Sequence, residues 1–438
     1  MAGSEQPELE YDESVRPVPV AALGSICVLV ACSFGILAPA IPVMIAEFGL
    51  SQSSASLLVT GASALIAISS LLAGSIVDRF SLRAVLYTGL ATFVLGSLAG
   101  AFAQEASWLV AARLVQASGG AIAMTTARVA IRRAFDPAGT LRLLGIFAFF
   151  MVAVGVLASP AGGWLTEMGG WRMIFVVEAV FALGFWIFVA RDLRGESRFE
   201  NPATDDEMLR SWRARIGELR NAGYVSLVIL HTASSALILA ELIWIAQIGM
   251  DRLGMSPGEI GIWRTVLSVA LAAGCIVPAR LSARFDPRTF ALAAAAVSAV
   301  GLVLFFAIAT SATSAAGLFL PNALFAFSCG IVLALAPSWC MTICPGAPGT
   351  ALGVMSFLVG LSSSAMIQTL VAFVGGDADR LLAAALIACC GLEILAATVL
   401  LVLVRGEPEG GMEKELLSTE AGDRSTSGPV AASQHRAA

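Results

Sequence analysis

The feature that most constrains this chain is a succession of twelve apolar stretches, each long enough to cross a bilayer. They cover approximately 18–45, 53–75, 84–104, 107–130, 141–163, 171–191, 222–248, 258–279, 289–310, 314–343, 349–374 and 381–404. A helix rising about 1.5 Å per residue needs roughly 20 apolar residues to span a hydrocarbon core of about 30 Å. Each stretch therefore reads as a transmembrane helix, and the longer ones require tilt or kinks. Composition agrees: 58% of the 438 residues are hydrophobic and 13% are charged, more apolar surface than a soluble domain of this length can bury. The polar, acidic N-terminus does not read as a cleavable signal peptide, so the first stretch is expected to remain as a helix.

Charge sets the expected orientation. Twelve spans put both ends on one side. With the termini cytoplasmic, the tails and the even-numbered connections hold 21 of the 26 basic residues. The other side holds only Arg172, Arg252, Arg264 and Arg380, and Arg113 falls inside the fourth span. This asymmetry satisfies the positive-inside rule, so a multi-pass protein of the cell membrane with both termini cytoplasmic is expected. The net charge of −5 resides in the tails, and the spanning part carries no basic footprint for nucleic acid. One long polar segment, 192–221, divides the spans six and six. The expected organisation is a tail over 1–17, a six-helix bundle over 18–191, a cytoplasmic linker over 192–221, a second bundle over 222–404 and a tail over 405–438. Within the linker, "DEMLRSWRARIGEL" has the helix formers of a short amphipathic helix on the membrane surface. All eight cysteines fall in the predicted spans or, for Cys344, directly beside one, without metal-ligand spacing. They read as small packing residues, and neither a metal nor a cofactor is expected.

Three local patterns carry chemistry. The string "GSIVDRFSLR" begins at Gly74 and joins the second span to the third; "GCIVPARLSAR" begins at Gly274, near the end of the eighth. A half-repeat at the second helix of each half fits two bundles related by a pseudo-two-fold along the membrane normal, a recurrent plan among transporters. In the fourth span, "ARLVQASGGAIAMTTARVAIRRAFD" places Arg113 about 10 Å into the membrane at 1.5 Å per residue. An arginine at a helix centre costs roughly 2.5–3.5 kcal/mol on insertion scales. It faces protein or a water-filled cavity, unless it snorkels to the interface. In the fifth span, "GVLASPAGGWLTEMGGWRMIF" combines Gly155, Pro160 and Gly163. The proline removes a backbone donor and the glycines permit close contact, so this helix is expected to bend and to pack tightly.

These motifs resemble the major facilitator superfamily. Gly74, Asp78, Arg79 and Arg83 match its G-x-x-x-D-R-x-G-R-R/K signature, with departures at Ser81 and Leu82. Arg113 and Gln116 match R-x-x-Q-G, with Ala117 in place of the glycine. Gly155, Pro160 and Gly163 are similar to the antiporter signature G-x-x-x-G-P-x-x-G-G, with Ser159 in place of a glycine and the following pair one residue early. Ala127, Arg128 and Arg132 resemble the helix-4 ending of the bicyclomycin and chloramphenicol resistance branch, which belongs to the 12-helix drug:proton antiporters. The resemblance implies an all-α membrane protein of twelve transmembrane helices in two pseudo-symmetric six-helix bundles. It also implies a latch between Asp78 and the start of helix 11 near Gly349.

Titratable groups inside the membrane are few. Helix 7, "VSLVILHTASSALILAELIWIAQIG", carries His231 and Glu241, separated by about 80° on a helical wheel of 100° per residue. By the resemblance, helices 1, 4, 7 and 10 line a central cavity. Arg113, Gln116, His231 and Glu241 are therefore the candidates for substrate or proton coupling, while Glu178 and Glu393 are expected at the periphery and Arg264 as an outer anchor. Phe34, Trp244, Phe325 and Phe327 offer aromatic surface to such a cavity, although any single aromatic of this kind more often faces lipid or core. With few charges in it, the cargo is expected to be a small lipophilic or amphiphilic compound. The reading is a secondary transporter, most simply a monomer in the lipid bilayer, that exports its cargo on a proton gradient by alternating access. An importer or facilitator of a metabolite or organic anion, with Arg113 binding a carboxylate, is the first alternative. A non-transporting membrane scaffold or sensor is the second. No nucleophile–base pair or phosphate loop marks an enzyme.

Overall fold

The computed structural model describes residues 20–134, 137–192, 219, 221–282, 284–344 and 348–403. The tails and nearly all of the linker, with its expected amphipathic helix, lie outside the described residues. So do the side chains of 70–79, 132–142, 144–152 and 348–350, and with them the roles expected of Gly74, Asp78, Arg79 and Arg132 and of the latch partner near Gly349. Among the described residues every regular element is helical, and the helices form twelve rods. They are α1 (Val20–Leu37, carried on by the 3-10 turn Ala38–Ala40 and by Ile41–Phe48), α2 (Gln52–Arg79), α3 (Leu82–Ala101), α4 (Ala106–Ala134), α5 (Pro137–Gly169) and α6 (Arg172–Asp192). The second half contains α7 (Ala222–Ala240, the π turn Glu241–Ile245 and Ala246–Leu253), α8 (Pro257–Leu281), α9 (Pro287–Ala307), α10 (Ala315–Ile343), α11 (Pro348–Val374) and α12 (Ala378–Leu403). Ten of the rods are long and apolar enough to cross a membrane. The other two, α4 and α5, are 29 and 33 residues long.

Polar caps and glycines set where the rods stop. Ser81 accepts a hydrogen bond from Ala84 N, and Ser256 forms a capping box with Glu259 at the start of α8. Asp286 and Ser314 cap α9 and α10 in the same way, each satisfying a backbone N–H that the first helical turn leaves free. Gly49 and Gly254, with φ of 60° and 64°, end α1 and α7 in the left-handed region that favours glycine. Pro39 and Pro42 lack the N–H a regular helix needs, and α1 tightens there into its 3-10 turn.

Packing repeats between the halves. In the first, α4 contacts α1, α2 and α3, α1 contacts α5 and α6, and α3 contacts α6. The same six pairings recur among α7–α12: α10 with α7, α8 and α9, α7 with α11 and α12, and α9 with α12. The halves meet along two seams, α5 with α8 and α2 with α11, which a two-fold exchanging the halves would interchange. The third and sixth helices of each half lie outermost: Leu95 of α3, Val180 of α6, Val303 of α9 and Leu395 of α12 are each more than half exposed. So much apolar surface turned outward suits lipid rather than water. Below, the terminal side is the one bearing Val20 and Leu403, and the far side is the opposite one.

Candidate transport site

The first half encloses a polar network around Arg113. Its Nη1 donates to Ser33 Oγ of α1 at 2.7 Å and to Gln116 Oε1 at 2.5 Å, and its Nη2 donates to Ser33 O at 3.0 Å. Gln116 Nε2 donates onward to Ser97 Oγ of α3 at 2.7 Å and to Glu178 Oε2 of α6 at 2.8 Å. The guanidinium also lies 5.7 Å from the ring centre of Phe34. Arg113 is 2% exposed and Glu178 3%. Burying either charge alone would cost several kcal/mol, so the network of charge-assisted bonds is what makes the placement tenable. Small residues allow it. A methyl group on Gly96 would fall 2.6 Å from Gln116 Cα, and one on Gly119 would meet the Phe93 backbone. With glycine at both places α3 and α4 touch backbone to backbone, which delivers Ser97 to Gln116.

The second half holds a different arrangement. Ser234 Oγ of α7 donates to Glu393 Oε1 of α12 at 2.6 Å. Ser298 of α9 pairs with Ser328 of α10 at 2.9 Å. His231 and Glu241 are both buried on α7, Glu241 at the first position of the π turn. Among the described residues no hydrogen bond or ion pair joins either of them to Arg113. Glu178 Oε1, His231 Nδ1, Glu241 Oε1 and Glu393 Oε2 are buried without a hydrogen-bond partner among the described residues.

Two placements correct the sequence reading, and a third decides between its alternatives. Glu178 and Glu393 are not peripheral: α6 and α12 are outer helices, but each turns one carboxyl inward onto a serine or amide of its own half. Arg264 is not an outer anchor. It is 7% exposed, donating from Nη1 to Glu241 O at 3.0 Å and from Nε to Ser159 Oγ at 3.4 Å. Trp244 and Phe325 are wholly buried packing residues, and Trp244 Nε1 donates to Gln52 Oε1 at 3.2 Å. The outer apolar faces of α6 and α12 concealed their two acids; a polar residue on the third helix of each half, Ser97 and Ser298, was the available signal.

The helix-5 motif lies in the seam. Gly155 O accepts from Ser268 Oγ at 3.4 Å, Val156 O from Thr265 Oγ1 at 3.5 Å, and Glu167 Oε1 from Gly258 N at 2.9 Å. Between these bonds, Gly163 faces the Pro257–Gly258 backbone and Gly261 faces Ser159 and Pro160. Pro160 itself stays within α5. Across the second seam, Gln368 Nε2 of α11 donates to Ser56 Oγ at 3.0 Å and Thr60 Oγ1 at 2.8 Å of α2. Gln52 Nε2 of α2 donates to Gln247 Oε1 of α7 at 3.0 Å. These inter-half bonds run from the middle of the molecule to its far side, which is therefore closed.

Two repeated six-helix halves, apolar outside, joined at two seams and carrying charged groups inside, define the class: a helical membrane transporter. The chain belongs to the Major Facilitator Superfamily, whose family model matches residues 23–367. That family consists of transporters, not enzymes. Among curated relatives, the multidrug efflux pump LfrA of Mycolicibacterium smegmatis is 32% identical over 190 residues, 43% of this chain and 38% of the relative. The methylenomycin A resistance protein of Bacillus subtilis is 30% identical over 106 residues, 24% of this chain and 23% of the relative. The chain thus spans well under half the length of these relatives. The multidrug resistance protein MdtL of Escherichia coli is 24% identical over 368 residues, covering 78% of this chain and 85% of MdtL. Among solved structures, an inward-facing, occupied bacterial homolog of the human lysosomal transporter Spinster aligns with a TM-score of 0.70 at 18% identity, covering 90% of this chain and 98% of that one. A D-xylose–proton symporter aligns with a TM-score of 0.69 at 16% identity, covering 90% and 97%. At such identities the likeness concerns the fold.

Proposed function

We propose that this protein exports a small lipophilic or amphiphilic compound in exchange for protons, by alternating access between its two halves. The observation that carries the reading is the Arg113–Gln116–Glu178 network, a buried base and acid joined through one amide, with a carboxylate oxygen left unpartnered. Gln116 and Ser33 keep Arg113 positioned while Glu178 takes up or releases a proton, and the buried charge left unbalanced by that proton is what can drive a change of state. Arg113, Gln116, His231 and Glu241 are the proposed coupling and cavity groups, with Glu178 added to them. The efflux and resistance names of LfrA and MdtL support the export direction. The arginine distribution supports cytoplasmic termini, which makes the far side the exterior and the described state closed to it.

The test is accumulation of a lipophilic dye in everted membrane vesicles with an imposed proton gradient. Accumulation that collapses when the gradient is dissipated, and that is lost in Arg113→Ala, is the expected result. Accumulation of dye or organic anion that ignores the gradient would refute proton coupling.

A further inference from the structure

Arg264 matches no motif of the sequence, yet it stands where α1, α5, α7 and α8 come together. Its Nη1 takes the main-chain oxygen of Glu241 at 3.0 Å, and its Nε reaches Ser159 Oγ at 3.4 Å. The Ser159 hydroxyl donates in turn to Gly35 O of α1 at 3.0 Å. The Glu241 carbonyl lies at the start of the π turn, where the hydrogen-bond ladder of α7 is displaced by one residue. The Glu241 side chain is 4% exposed, its Oε1 has no hydrogen-bond partner among the described residues, and Arg264 is the cation that acts on it. The π turn packs against α2, α10 and α12. From those helices come Gln52, which is uncharged, Cys329, and the pair Cys389 and Glu393, so none of them supplies a second cation.

This geometry also accounts for a departure from the family pattern. Ser159 occupies the position where the antiporter signature has glycine. A glycine there would leave Arg264 Nε without its partner on α5, so the serine and the arginine form a matched pair across the seam.

We infer that Arg264 is a positioning residue for transport, linking the charge on Glu241 within the second half to the Ser159 contact that joins the halves. Among the described residues no ion pair joins the two side chains, but with Glu241 ionised the buried guanidinium has a counter-charge on the residue whose main-chain oxygen it holds. A proton on Glu241 removes that charge and leaves a buried cation held by one carbonyl and one hydroxyl, an unfavourable state. Parting of the α5–α8 seam admits water and relieves it, so proton loading and far-side opening are tied together through this side chain. The inference rests on the proton-coupled reading above.

The experiment compares two modes in the same vesicles: gradient-driven dye accumulation and gradient-free exchange of labelled for unlabelled dye, each over a range of pH. Arg264→Gln is expected to lose about tenfold in the driven mode, to keep exchange within about twofold, and to lose the pH dependence of exchange, a loss inside the usual range of coupling between sites. Arg264→Lys should restore part of the driven mode. Glu241→Gln should lose the driven mode as Arg264→Gln does, with the double variant no worse than either in that mode. Ser159→Gly, which restores the family residue, should weaken the driven mode in the same direction and keeps the test open if Arg264→Gln fails to fold. A wild type without gradient dependence would overturn the proton-coupled reading itself. A gradient-dependent wild type in which these variants depress both modes equally, or combine additively, would overturn the inference alone and leave Arg264 a structural residue.

Discussion

Replacing Gly163 with alanine tests whether the helix-5 motif closes the far side. A methyl group built at Gly163 lies 2.9 Å from Gly258 Cα and closer still to Pro257 O, all of it backbone. Carbon atoms rest at about 3.5–4.0 Å, so α5 and α8 must separate by roughly 1 Å at this point. Overpacking of this kind costs typically about 1–3 kcal/mol. The strain exists only when the seam is shut, so it falls on the closed state and should lower the closed-to-open ratio by about 5- to 150-fold. The Glu167–Gly258 bond, at 2.9 Å in the next turn, is stretched by the same movement. Spin labels at Met168 and Glu259, both exposed on the far side, report the separation in a cysteine-substituted background that retains transport. The distance distribution should move from one short population toward a longer one. Gly162→Ala is the control: its methyl group would meet Ile36 of α1, within the same half. It should lower thermal stability without opening the seam selectively. An unchanged far-side distance in Gly163→Ala, with transport intact, would refute the claim that this close approach holds the halves together.

Other substitutions separate structure from coupling. Glu178→Gln keeps a partner for Gln116 and should fold normally while losing gradient-driven transport; Glu178→Ala removes the carboxylate and should cost roughly 3–5 kcal/mol, read by thermal unfolding in detergent. Glu393→Gln should stay within about 1 kcal/mol of wild type by the same measurement, because Ser234 keeps its acceptor, whereas Glu393→Ala, which leaves a cavity and an unpartnered hydroxyl, should lose about 2–5 kcal/mol. Asp78→Asn should impair dye transport more than a substitution at Pro278, and equal losses would show that the two half-repeats do not differ in function.

The sequence by itself determined the number of rods and what they are made for. Runs of about 20 apolar residues admit few structures other than membrane helices, because lipid leaves the backbone no partner outside the segment. The six-and-six division, the half-repeat at Gly74 and Gly274, and an inward-facing Arg113 beside Gln116 were legible for the same reason: each is a costly or local feature that stands out against an apolar background. Tertiary structure alone decided which charges meet. Glu178 is 62 residues from Gln116 and Arg264 is 105 from Ser159, and nothing in helical periodicity relates positions on different helices. The outer apolar faces of α6 and α12 pointed to the periphery, but a helix has two faces, and only packing shows that one carboxyl of each turns inward. The π turn at Glu241 was equally unreadable, since no proline or glycine in "ELIWI" marks it. A motif glycine such as Gly163 reveals from sequence that a backbone comes close; only the assembled fold identifies that backbone as Pro257–Gly258 of the other half.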